Sequence, residues 1–358
     1  MDRNIVGHTR AVQALQRALD TGTLAHSYIL VGPPRVGKRT LALELAKALN
    51  CAEAASASRP CGRCQACRSI DAGQHPDVTT IARGSPLVSG EDDKKELPRR
   101  YISIEQVREL QRVVTLAPFA GRARVYIVDG ADEMNAESAN CLLKTLEEPP
   151  PRVLLVLLCS DPAAVLPTVL SRCQRLELGL LSEATISAAL GQRWEAAPEL
   201  AAQLAQASEG RLGWAVAALR EPALLEERRR LRERLAEVLL GNRSQRLDYA
   251  GELASLWSKD REAAEEALRA LQGLYRGLLR AGAGSGQGAG QPILTPLPDQ
   301  LQGLSIPALA GALRALALVS EHLLQNVNAR LALDVLLLEL PPSPATASPP
   351  AAAQGVVS

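Results

Sequence analysis

Four groups of residues in this sequence could do chemistry. The first is the run Gly32-Pro33-Pro34-Arg35-Val36-Gly37-Lys38-Arg39-Thr40. A glycine-bearing turn between an apolar run and an amphipathic one can wrap its amides round phosphate oxygens. The start of a helix adds partial positive charge. Lys38 is spaced to reach the outer phosphates of a nucleotide. The place after this lysine ordinarily carries Ser or Thr to hold Mg²⁺. Here it carries Arg39, with Thr40 one residue late. One residue turns a helical side chain by about 100°. The pattern therefore predicts binding of ATP or ADP through Gly32, Pro33, Gly37, Lys38, Arg39 and Thr40, weak or vestigial, with altered metal coordination.

The second group is Val125-Tyr-Ile-Val128-Asp129-Gly130-Ala131-Asp132. An apolar strand ending in Asp can hold Mg²⁺ beside a phosphate loop. Hydrolysing sites of this kind place Glu next, to orient water. Gly130 has no side chain to do so. Together the two groups describe a degenerate nucleotide site that includes Asp129 but lacks its hydrolytic acid.

The third group is Cys51, Cys61, Cys64 and Cys67, the last three as Cys-x-x-Cys-x-x-Cys. Four thiolates make a closed tetrahedral zinc site with no open catalytic position. An iron–sulfur centre uses similar local spacing, and free thiols or redox pairs are a further alternative. Cys141, Cys159 and Cys173 lie in apolar stretches and read as small buried hydrophobes. The fourth group is Ser171-Arg172-Cys173, between two expected strands. A lone Arg is ordinarily a solvated surface residue. At a subunit edge it can instead reach a neighbour's γ-phosphate as an arginine finger.

These groups need a scaffold. Short apolar runs at Tyr28–Val31, Val78–Ile81, Val125–Val128, Val153–Cys159 and Arg175–Leu178 alternate with helical patterns. They are continuous rather than alternating, which suits strands of a parallel sheet covered on both faces. Leu41, Ala42, Leu45, Ala46 and Leu49 share one helix face. Ala139, Leu142, Leu143 and Leu146 share another, and Pro149-Pro150-Pro151 stops that helix. The expectation is an α/β domain over residues 1–179 with a zinc module at 51–67. A small helical lid at 180–221 and an all-helical domain at 222–340 follow. Residues 84–100 read as a solvated insertion, 281–298 as a flexible Gly-rich loop, and 341–358 as a disordered tail.

Composition narrows the classes. The chain has 358 residues, enough for two or three domains, and a formal net charge of +1, which argues against a wholly basic nucleic-acid-binding surface. Aromatics are 3%, with Phe119 the single Phe, so base-stacking single-strand readers are disfavoured. No export signal is legible in Met1-Asp2-Arg3-Asn4, and no apolar run is expected to reach the roughly 18 to 20 residues of a membrane span. A cytoplasmic protein with no membrane partner is expected.

Taken together, these motifs resemble the clamp-loader branch of the AAA+ family. Asn140-Cys-Leu-Leu-Lys144-Thr-Leu-Glu-Glu148-Pro-Pro150 looks like that branch's specific helix, Ser171-Arg172-Cys173 like its arginine-finger motif, and the cysteine set like the zinc module of bacterial loader subunits. The resemblance implies an AAA+ domain, a lid, and a C-terminal collar through which subunits assemble. The departures are Arg39 after Lys38, Gly130 after Asp129, and Gly213 where the lid's second sensor Arg would stand, with Arg211 two residues away. With Arg172 retained, they resemble the non-hydrolysing delta-prime branch. The alternative is the ATP-hydrolysing gamma/tau motor branch, which would need Thr40 and Asp132 as substitutes. An unrelated phosphate-loop protein, such as a helicase loader, is a further one. The delta-prime resemblance implies motor and delta subunits as partners, with the sliding clamp and primer-template DNA reached through the assembly.

Overall fold

The computed structural model describes residues 5–53, 59–85, 101–282, 301, 303–324 and 327–342. Most of the expected insertion at 84–100, of the loop at 281–298 and of the tail at 341–358 lies outside the described residues. The chain divides into two compact units, Met1–Ala217 and Ala218–Ser358.

In the first unit, β1 (Ser27–Val31), β2 (Val78–Ala82), β3 (Arg124–Asp129), β4 (Val153–Cys159) and β5 (Gln174–Glu177) form one sheet in the order β2-β3-β4-β1-β5. Every pairing is parallel. Alternate residues serve opposite cores. Tyr28, Leu30, Val125, Ile127, Val156 and Leu158 pack on α1 (Thr9–Thr21) and α2 (Lys38–Asn50). Ile29, Val31, Tyr126, Val128, Leu155 and Leu157 pack with residues of α4 (Ile104–Val114) and α5 (Ala136–Glu147) on the other face. Two covered faces explain why these strands read as unbroken apolar runs. A short helix, α3 (Gln65–Asp71), starts within the cysteine cluster. Another, α6 (Pro167–Leu170), precedes Arg172.

The sheet order puts the chemistry at one edge. In open parallel sheets, ligands gather outside the carboxyl ends of the strands. Here β1 runs into the phosphate loop, β3 ends at Asp129 and β4 at Cys159, just before Ser160, with β4 between the other two. Helices α7 (Glu183–Trp194), α8 (Pro198–Ser208) and α9 (Leu212–Arg220) follow β5 in sequence.

The second unit is helical among its described residues: α10 (Ala223–Leu240), α11 (Arg243–Lys259), α12 (Arg261–Gly282), α13 (Ile306–Leu324) and α14 (Ala329–Glu339). Its core gathers Leu239, Leu253, Leu271, Leu274, Leu316 and Leu336. Arg246 is fully buried there and donates to the carbonyls of Leu239, Leu337, Leu340 and Pro342, ending two helices with one guanidinium. Despite its interrupting charges, the stretch Ile306–Leu323 is long and apolar enough by composition to cross a membrane.

Candidate nucleotide and metal sites

The phosphate loop follows β1 directly, and Gly32 N donates to Cys159 O of β4. Arg35 adopts φ 60°, a left-handed conformation that costs an ordinary residue about 1–2 kcal/mol. Two neighbours hold the loop in this shape. His8 Nε2 lies 3.2 Å from Val36 O, and Gly213 N donates to Arg35 O at 2.8 Å.

Lys38 opens α2 and is 8% exposed. Its Nζ donates to Gly32 O, to Pro33 O at 3.1 Å and to Ser160 Oγ at 2.9 Å. Burial pushes its pKa down, against the pull of Asp132 and Asp129. Ser160 was not singled out in the sequence. The signal was available, since it is the residue after a strand that neighbours β1.

Arg39 and Asp129 meet. Arg39 Nη1 lies 3.5 Å from Asp129 Oδ2. These are the two places from which a phosphate-loop site would coordinate Mg²⁺. A metal shared between them does not fit this arrangement, because a guanidinium already sits against the acid. Thr40 is an exposed residue of α2. Gly130 lies at φ 96°, and Asp132 is spent elsewhere: its Oδ2 accepts from Ser160 N at 3.1 Å and Asp161 N at 3.0 Å. Burial raises the Asp132 carboxyl above its ordinary value. Arg211, 3% exposed, donates from Nε to Ser208 O at 3.1 Å and pairs with Glu209 at 3.6 Å.

The four cysteine sulfurs of Cys51, Cys61, Cys64 and Cys67 lie within 4.8 Å of one another. Backbone amides support them: Cys61 N points at Cys51 Sγ, Cys64 N at Cys61 Sγ and Cys67 N at Cys64 Sγ, at 3.3–3.5 Å. An all-sulfur set this tight fits one tetrahedral soft ion better than a multi-iron cluster between the sulfurs. The amides of Arg63 and Cys64 bring the Cys61 thiol down to about 6, whereas burial pushes Cys67 up to about 12. The knuckle is docked on α2 by Lys47 Nζ to Asp71 Oδ1 at 2.7 Å. Of the other cysteines, Cys159 is buried, whereas Cys141 and Cys173 are only partly so, and Cys141 Sγ donates to Gln111 Oε1.

Arg172 follows α6, well apart in sequence from the phosphate loop. Its Nη1 donates to Thr168 O at 2.9 Å and its Nη2 lies 2.7 Å from Glu147 Oε1, at the end of α5. Its carbonyl accepts from Ser27 Oγ at 2.7 Å, which ties it to the start of β1. The side chain remains 34% exposed. The partner Glu147 was quoted within the sequence motif without a role.

Residues 7–182 match the family described as DNA polymerase III, delta subunit. The DNA polymerase III subunit tau/gamma of Haemophilus influenzae is 35% identical over 184 residues, which cover 51% of this chain and 24% of that protein. Subunit tau of Escherichia coli is 36% identical over 178 residues, 50% of this chain and 25% of that one. The chain thus spans about a quarter of the length of these curated relatives. A gamma subunit-related protein of Thermotoga maritima, 18% identical, superposes with TM-score 0.42 over 91% of this chain and 97% of that one. The domain at residues 7–182, with its parallel sheet and phosphate loop, belongs to the clamp-loader family of AAA+ proteins.

Proposed function

We propose that this chain is the non-hydrolysing, delta-prime-type subunit of a bacterial DNA polymerase III clamp loader. It acts in the cytoplasm, assembled with motor (gamma/tau) and delta subunits. Through that assembly it helps load the sliding clamp onto primer-template DNA. Residues 1–179 serve as the AAA+ domain, 180–221 as the lid and 222–340 as the assembling collar. The cysteine knuckle holds one structural zinc through Cys51, Cys61, Cys64 and Cys67.

The observation that carries this reading is Gly130 at φ 96°, directly after Asp129. The place of the water-orienting acid holds a residue with no side chain, in a conformation that resists one. Asp132, the substitute acid, accepts two backbone amides instead. The motor reading draws on one specific observation, the tau and gamma names of the curated relatives, and needs both Thr40 and Asp132 in new roles.

In the proposed role, Arg172 supplies charge to the γ-phosphate held by the adjacent motor subunit. Such fingers contribute about 10³–10⁵ in rate. The test is DNA-stimulated ATP turnover by a loader reconstituted with this chain intact or carrying Arg172→Ala, beside turnover by the chain alone. The expected result is none from the chain alone, and a fall of at least about 100-fold in the assembled Arg172→Ala loader. Multiple turnover by the chain alone overturns the reading.

A further inference from the structure

We propose that the phosphate loop binds a nucleoside diphosphate without a divalent cation, with the Arg39 guanidinium standing where the metal's charge would. This goes beyond the stator reading, which requires only that hydrolysis be absent.

The geometry begins with the strand order. β4 lies between β1 and β3, so the ends of the latter two are separated by two strand spacings, roughly 10 Å. In a metal-dependent site a hydroxyl, a hydrated ion and an acid together bridge that gap. Here one long side chain does so: Arg39 starts in the first turn of α2 and reaches Asp129 Oδ2 at 3.5 Å. The guanidinium already supplies positive charge to that acid, so a divalent ion has less to gain there.

What remains is suited to an anion. Lys38 is nine-tenths buried and is held by three neutral oxygens, those of Gly32, Pro33 and Ser160. Among the described residues no carboxylate touches it, and its three donors are all given to those oxygens, so a phosphate binds by displacing one of them. A buried ammonium without a contacting counter-ion is stabilised by phosphate. The first turn of the 13-residue α2 adds amides that a helix cannot pair internally. Arg35 is exposed on the same loop. The Arg39 guanidinium is 59% exposed, and its planar fork has donors left over after Nη1 is given to Asp129. It can hold the acid with one edge and phosphate oxygens with another, which Lys, Ser or Thr could not do.

The test measures binding of a fluorescent ADP analogue to the full zinc-loaded chain by anisotropy. Magnesium is omitted rather than chelated, so that the cysteine site keeps its ion. The expected dissociation constants with and without millimolar Mg²⁺ agree within about threefold. Arg39→Thr is expected to bind at least about tenfold more weakly without Mg²⁺ and to recover in part when it is added. Arg39→Gln is expected to lose affinity in both conditions. Because Arg39 is exposed, both variants should melt like the parent, and melting curves check this. Saturable binding that needs Mg²⁺ in the parent chain overturns the proposal, as does the absence of saturable binding in both conditions. Neither result bears on turnover, so the stator reading stands or falls separately.

Discussion

Arg172 Nη2 lies 2.7 Å from Glu147 Oε1, while Nη1 is given to Thr168 O. The guanidinium is thus fixed on two sides and partly open on the rest. A group that must meet a phosphate on another molecule gains from being held in one rotamer beforehand. Glu147→Ala is therefore expected to lower the turnover of a reconstituted loader by about 3- to 10-fold, well short of Arg172→Ala. Glu147→Gln, which keeps one acceptor, should fall between parent and Ala. A rise in turnover on losing Glu147 would mean that this acid restrains the Arg instead of aiming it.

Asp77 is the anchor of the loop that carries the single Phe. Its carboxylate accepts from the amides of Phe119, Ala120 and Gly121, each at 2.7 Å, and lies 3.5 Å from Arg124. Burial pushes this carboxyl up, and the three amides with Arg124 outweigh that, leaving it below its ordinary 3.8. The sign follows. The stabilisation is complete above pH 3.8 and is lost as pH falls through the depressed folded value. Asp77→Asn turns a donor towards the amides and should cost about 3 kcal/mol at neutral pH, read by chemical denaturation. The gap between parent and variant should narrow as pH is taken below 3.8.

Much of this was legible in the sequence. All five strands were placed to within a residue or so at each end, because a doubly covered sheet leaves unbroken apolar runs. The phosphate loop, Asp129 and the cysteine set announced themselves by residue type and local spacing. What was not legible depended on pairings distant in the chain. Nothing local says that Asp77 caps residues 119–121, or that Lys38 meets Ser160, 122 residues on. The sequence also presented Gly130 as a missing side chain. The structure adds that its backbone is left-handed, a property of the turn from β3 into the 3-10 segment Ala131–Glu133 rather than of the residue type alone.

The cysteine knuckle should hold about one zinc per chain, by elemental analysis of protein purified without chelators. Cys64→Ser should lose the metal and speed proteolysis between residues 59 and 71, where α3 depends on the cluster and on Lys47–Asp71. The sheet should survive, because its cores are built from α1, α2, α4 and α5. Undiminished zinc in Cys64→Ser would remove Cys64 from the ligand set.

Restoring two of the three missing groups of the hydrolytic site should not restore hydrolysis, because Arg39 still holds Asp129 and because the backbone resists both changes. At Gly130 a β-carbon would be strained at φ 96° and would lie 3.1 Å from the Glu133 side chain. Gly130→Glu then costs about 1–2 kcal/mol and adds a like charge beside Glu133. At Gly213 the obstacle is closer. A β-carbon there would come within 2.6 Å of Arg35 O, the carbonyl that accepts Gly213 N. The contact is with backbone, so no side-chain rotation relieves it. Gly213→Arg must push α9 off the phosphate loop and break that hydrogen bond, at about 1–3 kcal/mol. Each variant, and the pair together, should be less stable than the parent and show no ATP turnover. If Gly213→Arg instead melted like the parent and turned over ATP, α9 would be free to ride over the loop, and the close approach at Arg35 would not be what keeps this site silent.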